Sequence, residues 1–81
     1  MSDHIFNKDE IGQCYSGEVK SFDSYIGLGE IELEDGRILD FHCINIADGT
    51  RFIEVGSKTT FDLYFHHRGR FEAKNIKTRK D

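Results

Sequence analysis

The sequence predicts an all-β fold in which five short antiparallel strands close one small barrel. Three observations carry this expectation. Apolar and polar residues alternate with period two in short runs, an Asp35-Gly36 pair joins two of those runs, and no stretch shows the 3.6-residue period of an amphipathic helix. With 81 residues there is room for one domain, and a domain of this size buries roughly 60% of its unfolded surface. A content of 37% hydrophobic and 32% charged residues suits a folded chain rather than a disordered one.

Residues 1–13 have no clear period, and Asn7-Lys8-Asp9-Glu10 is polar, so this stretch is read as an N-terminal extension. Its removal is expected to leave a folded domain, with Ile5, Phe6 and Ile11 as the apolar residues able to dock. The barrel is placed over residues 14–77 and a basic tail over 78–81. In the first strand, ending near Phe22, Tyr15, Gly17 and Val19 alternate with Ser16, Glu18 and Lys20. Turn residues follow at Asp23-Ser24-Tyr25-Ile26-Gly27. The second strand sets Gly29, Ile31 and Leu33 on one face and Leu28, Glu30, Glu32 and Glu34 on the other, so the glutamates must meet water. Asp35-Gly36 is a strong hairpin signal because glycine tolerates the positive φ of a tight turn, and the third strand then runs from Arg37 to His42.

From Cys43 to Ser57 regular period is lost, which predicts a long connection with a short helical turn at Ile44 to Ala47. The fourth strand alternates Thr59, Phe61, Leu63 and Phe65 against Thr60, Asp62, Tyr64 and His66. Arg68-Gly69 turns the chain into a fifth strand, from about Arg70 to Ile76. Five short strands with one long gap after the third fit a barrel of the OB type better than a sandwich.

Several function classes are excluded at this level. No apolar run approaches the ~20 residues of a membrane span, and the first residues lack the basic start and apolar stretch of a secretory leader, so the expected compartment is the cytoplasm. Cys14 and Cys43 have no CxxC spacing, and a reducing compartment argues against a disulfide. The adjacent His66 and His67 point to opposite faces of a strand, a poor geometry for one metal ion. No nucleophile stands beside a base at motif spacing, and Gly27-Leu28-Gly29 precedes a strand rather than a helix. Neither an enzyme, a metal nor a cofactor is therefore expected.

Charge is unevenly spread within the net −4. Residues 1–57 hold four basic against twelve acidic residues, a balance of −8, while residues 58–81 hold seven basic against three acidic, a balance of +4. The basic end suits a phosphate backbone or is simply solvated, and the acidic part repels phosphate.

Gly17-Glu18-Val19-Lys20-Ser21-Phe22-Asp23, Gly27-Leu28-Gly29-Glu30-Ile31 and Leu39-Asp40-Phe41-His42-Cys43-Ile44-Asn45-Ile46 together resemble the opening half of bacterial cold-shock proteins. Val55-Gly56-Ser57-Lys58-Thr59-Thr60-Phe61, Arg68-Gly69 and Ala73-Lys74-Asn75-Ile76 are similar to the family's closing half, so the resemblance covers about residues 15–77. It implies a five-stranded barrel that binds single-stranded RNA or DNA by stacking bases on aromatic side chains of strands two and three. The departures fall on that platform. Where the family has Gly-Phe-Gly-Phe-Ile this chain has Gly27-Leu28-Gly29-Glu30-Ile31, where it has Val-Phe-Val-His-Phe this chain has Leu39-Asp40-Phe41-His42-Cys43, and a family tryptophan is Ser21.

The candidate nucleic-acid-binding residues are therefore Lys20, Phe22, Tyr25, Leu28, Glu30, Asp40, His42, Phe52, Arg68 and Arg70. His42 is a stacking or hydrogen-bonding group, or an ordinary half-exposed strand histidine. Lys20 meets a phosphate or protects a strand edge, and Arg68 and Arg70 touch phosphate or solvate a turn. Stacking one base on an aromatic is worth about 1–3 kcal/mol, so the loss of several rings removes much of an ordinary affinity, and Glu30 and Asp40 add repulsion. The expected function is a cold-shock-like single-strand-binding module with a degenerate, weakened face. The alternative is an OB barrel repurposed to bind a protein through the acidic strand-two face or an open strand edge.

Overall fold

The computed structural model describes residues 8–66 and 69–79, with the side chains of Lys8 and His66 outside the description. Its elements are a 3-10 turn at Lys8–Glu10, then β1 (Cys14–Asp23), β2 (Leu28–Leu33) and β3 (Ile38–His42). A second 3-10 turn at Cys43–Asn45 precedes β4 (Lys58–His66) and β5 (Arg70–Thr78). The strands close a barrel in the order β1-β2-β3-β5-β4. The short helical turn expected at Ile44 to Ala47 is the 3-10 turn one residue earlier, capped by His42. Of the Arg68-Gly69 turn, Arg68 lies outside the described residues.

One expectation is corrected. The barrel is not purely antiparallel, because β3 and β5 run parallel, paired at Asp40 and Glu72, with an isolated parallel bridge from Ile46 to Ile76. The reason is parity. Neighbours in a closed antiparallel ring must alternate in direction, which an odd number of strands cannot do all the way round. The connection after β3 crosses the barrel end, so the mismatch falls at the β3–β5 seam, while β1–β2, β2–β3, β1–β4 and β4–β5 remain antiparallel.

Alternation along the strands decides what is buried. Val19 from β1, Ile31 and Leu33 from β2, Leu39 and Phe41 from β3, Phe61 and Leu63 from β4, and Ala73 and Ile76 from β5 turn inward, and Ile46 and Ile53 of the long connection complete the core. Gly29 shares that inward face because nothing larger fits: an added Cβ would lie 2.5 Å from Phe41 Cζ and 2.6 Å from the Ser21 carbonyl oxygen. The β1–β2 register jumps from Val19↔Ile31 to Ser21↔Glu30, leaving Lys20 as the extra residue of a β-bulge. Ser21 is thereby aligned with the outward Glu30, and Phe22 with the inward Gly29.

The hairpin at Asp35-Gly36 forms as its chemistry demands, with Gly36 at φ 95° and the Asp35 carboxylate accepting from the Arg37 backbone N–H at 3.0 Å. That N–H bond first, then the Arg37 side chain, holds the Asp35 carboxyl below its ordinary range despite some burial. Since the native value lies below the unfolded one, the contribution is present above the unfolded value and is lost as pH falls through the native one. Asp35→Asn is expected to lower the thermal midpoint at pH 7 by an amount that shrinks and disappears as pH falls through the lowered native value, read by melting at several pH values. A pH-independent difference would contradict this.

Residues before β1 are tied to the barrel. The Gly12 N–H donates to the Leu63 carbonyl at 2.9 Å, the Leu63 N–H to the Gln13 carbonyl at 3.1 Å, and the Tyr15 hydroxyl to the Glu10 carbonyl at 3.1 Å. Glu10 also receives the Arg37 guanidinium on both oxygens, at 3.1 and 3.0 Å, with both side chains about three-quarters covered. Burial and the Glu10 charge push the Tyr15 phenol above its ordinary value, against the opposing pull of Arg37. A charge-assisted bond of this kind is worth about 1.5–3 kcal/mol, so Glu10→Ala is expected to lower the thermal midpoint by roughly 6 °C or more. A change within about 2 °C would show this segment to be only loosely held.

Candidate nucleic-acid interface

Outward side chains of β1, β2 and β3 form rows across the sheet, because cross-strand partners share a face. In one row Leu28 stands between Asp23 and His42. In the next, Ser21, Glu30 and Asp40 are successive cross-strand partners, and the Ser21 hydroxyl donates to Glu30 Oε1 at 3.3 Å. Arg70 of β5 extends this row, its Nη2 lying 3.5 Å from Asp40 Oδ2. In a third, Lys20 Nζ meets Glu32 Oε1 at 3.2 Å. Glu30, Glu32 and Asp40 thus face two cations, Lys20 and Arg70, each already beside a carboxylate. Opposed like charges such as Glu30 and Asp40 cost about 0.2–1 kcal/mol, a cost that Ser21 and Arg70 reduce.

At one end of this face the surface turns apolar. Leu28 is 49% exposed, Tyr25 96%, Ile44 64% and Phe52 54%, with Ile26 also exposed. The Asp23 carboxylate shapes the β1–β2 turn by accepting from the Tyr25 N–H at 2.9 Å, and the Cys43 N–H donates to the Gly27 carbonyl at 2.8 Å. That bond ties the β1–β2 turn at Gly27 to the start of the second 3-10 turn. His42 Nδ1 accepts from the Ile44 N–H at 3.2 Å, so in the neutral ring the proton sits on Nε2, which is left as a donor. Phe52 is placed by its loop. The Asp48 carboxylate accepts from the Thr50 N–H at 3.0 Å and the Thr50 hydroxyl at 2.8 Å, which hold its carboxyl below the ordinary range. Arg51 then takes a left-handed φ of 60° before Phe52.

Most of the residues singled out from sequence share this surface: Leu28, Glu30, Asp40 and His42 at its centre, Lys20 and Arg70 on its flanks, Tyr25 in the turn and Phe52 on the rim. Phe22 is placed differently. The bulge at Lys20 turns it inward, where its ring stacks on Phe41 at 5.8 Å between centroids and 4° between planes, with the Phe52 edge 5.9 Å away. Phe22 is thus half-buried, in ring contact with both Phe41 and Phe52. Arg68 lies outside the described residues. Ile26, Ile44 and Ser21 were not singled out as site residues. Two apolar side chains inside turns, with no strand period to bury them, were the available signal.

The barrel has a solved counterpart. Drosophila Unr CSD456, a structure of cold-shock domains, matches with a TM-score of 0.70 at 24% sequence identity, over 98% of this chain and 32% of that one. The fold is that of a cold-shock domain. This chain spans about a third of the Unr chain it matches. No protein-family model matches the sequence, and no curated protein sequence does. The outer β1–β2–β3 face of this barrel carries Ser21, Leu28, Glu30 and Asp40. Among the described residues no group of three or more His, Cys, Asp or Glu is arranged to hold a metal, and no helix is long and apolar enough to cross a membrane.

Proposed function

We propose that this chain is a non-catalytic module that binds single-stranded RNA or DNA weakly on the outer face of β1, β2 and β3. The observation that carries the reading is the outward row of Leu28 and His42, continued by Tyr25 and Phe52, on that face of a cold-shock fold. Exposed ring and aliphatic surface accepts base planes without demanding sequence. The weakness follows from Glu30 and Asp40, whose charges repel phosphate and whose side chains give a base no flat partner.

Titration of short oligonucleotides at several salt concentrations tests this. With two cations on the face among the described residues, Lys20 and Arg70, both already beside carboxylates, log K is expected to fall with log salt at a shallow slope, about −1.4 if those two set the phosphate contacts. Absence of binding at low salt would remove the reading. One observation favours a second: the carboxylate pair Glu30 and Asp40 beside exposed Leu28 and Ile44 also fits a basic protein partner. Such a partner would be recovered by pull-down and would survive nuclease treatment.

A further inference from the structure

Resting on the nucleic-acid reading above, we propose that this face selects guanine, with Asp40, Arg70 and Glu30 reading the N2–N1–O6 edge of a base packed on the Leu28–His42 row. The carboxylates keep phosphates away from the middle of the sheet, so the backbone must pass at its flanks and the group that reaches Glu30 and Asp40 is a base edge. A carboxylate has about four lone-pair sites, and the single contacts to Ser21 and Arg70 leave acceptor capacity on both acids. Guanine alone among the common bases presents two adjacent donors, N1–H and the N2 amino group, beside an acceptor, O6. The Asp40–Arg70 pair presents the complement, acceptor beside donor, 3.5 Å apart. Uracil and thymine place one donor between two carbonyls, so a carboxylate taking their N3–H meets a carbonyl oxygen with its second oxygen. Adenine and cytosine offer one amino group beside a ring acceptor. A ligand that brings two donors also relieves the opposition of Glu30 and Asp40, which uridine cannot do.

The strength is that of an exposed bidentate contact, about tenfold between bases. The test is fluorescence anisotropy of the full chain with labelled short uridine strands that carry guanosine, inosine or no substitution at a central position. Guanosine is expected to bind about tenfold tighter than uridine, and inosine, which lacks the N2 amino group, to fall between them. Asp40→Asn should erase the preference by weakening the guanosine strand while leaving the uridine strand equal or tighter, since it removes a negative charge. Comparing bases on the parent protein needs no variant, so a folding defect cannot mimic the result. Equal binding of all three strands would overturn the selection and leave the nucleic-acid reading standing. No binding of any strand, with a lysine- and arginine-rich peptide bound instead, would overturn both.

Discussion

Changing Leu28, Glu30 and Asp40 together to Phe is expected to tighten single-strand binding more than tenfold. All three side chains point outward on β2 and β3, in rows that abut the His42 and Phe52 surface, so new rings there extend a platform already begun. Each ring offers about 1–3 kcal/mol of stacking, and the loss of two carboxylates removes repulsion from phosphate. Even if half the stacking is spent on ordering the strand, more than about 1.4 kcal/mol remains, which is a decade in affinity. The charge-only variant, Glu30→Gln with Asp40→Asn, should help a uridine strand at low salt and lose that advantage at higher salt, because it alters a screened interaction. Three exposed rings enlarge an apolar patch, so the comparison needs the variant shown to be monomeric. A folded, monomeric triple-Phe protein that binds no better than its parent would put the site elsewhere.

The second large effect is on stability. Phe41→Ala is expected to cost about 3–5 kcal/mol, a drop in thermal midpoint of at least roughly 12 °C. Phe41 is fully buried, fills the space that Gly29 leaves open, and carries Phe22, which in turn supports Phe52. Its removal opens a cavity beneath the proposed face and unseats the rim ring above it. Thermal and denaturant unfolding measure the loss. A midpoint within a few degrees of the parent would mean that the Phe22–Phe41–Phe52 stack does not organise this end of the barrel.

The strands were legible because their chemistry is local. Period-two alternation in Gly29-Glu30-Ile31-Glu32-Leu33 and in Thr59-Thr60-Phe61-Asp62-Leu63 places the inward residues, and Asp35-Gly36 places a turn. Strand direction at the seam was not legible in the same way, since pairing of Asp40 with Glu72 depends on how the long connection crosses the barrel. Parity alone requires one parallel seam in a closed ring of five strands, but does not say which pair forms it. Within the site, Leu28, Glu30, Asp40 and His42 share a face by register, which alternation can supply. The turning of Phe22 toward the core depends on one extra residue at Lys20, and a β-bulge has no reliable composition signal in a run such as Gly17-Glu18-Val19-Lys20-Ser21-Phe22. The tie between Glu10 and Arg37 spans 27 residues, a distance over which a polar segment and a hairpin arginine give no mutual sign.

Backbone amide shifts followed by NMR during titration with a short guanosine-containing single strand test the central claim most directly, because they report both binding and its location. The account predicts that the largest changes fall on Tyr25, Leu28, Glu30, Asp40, His42, Phe52 and Arg70, with Glu18, Lys58 and Arg79 nearly unmoved. Changes confined to the basic residues Lys58, Lys74, Lys77 and Arg79, with the β2–β3 face silent, would contradict it.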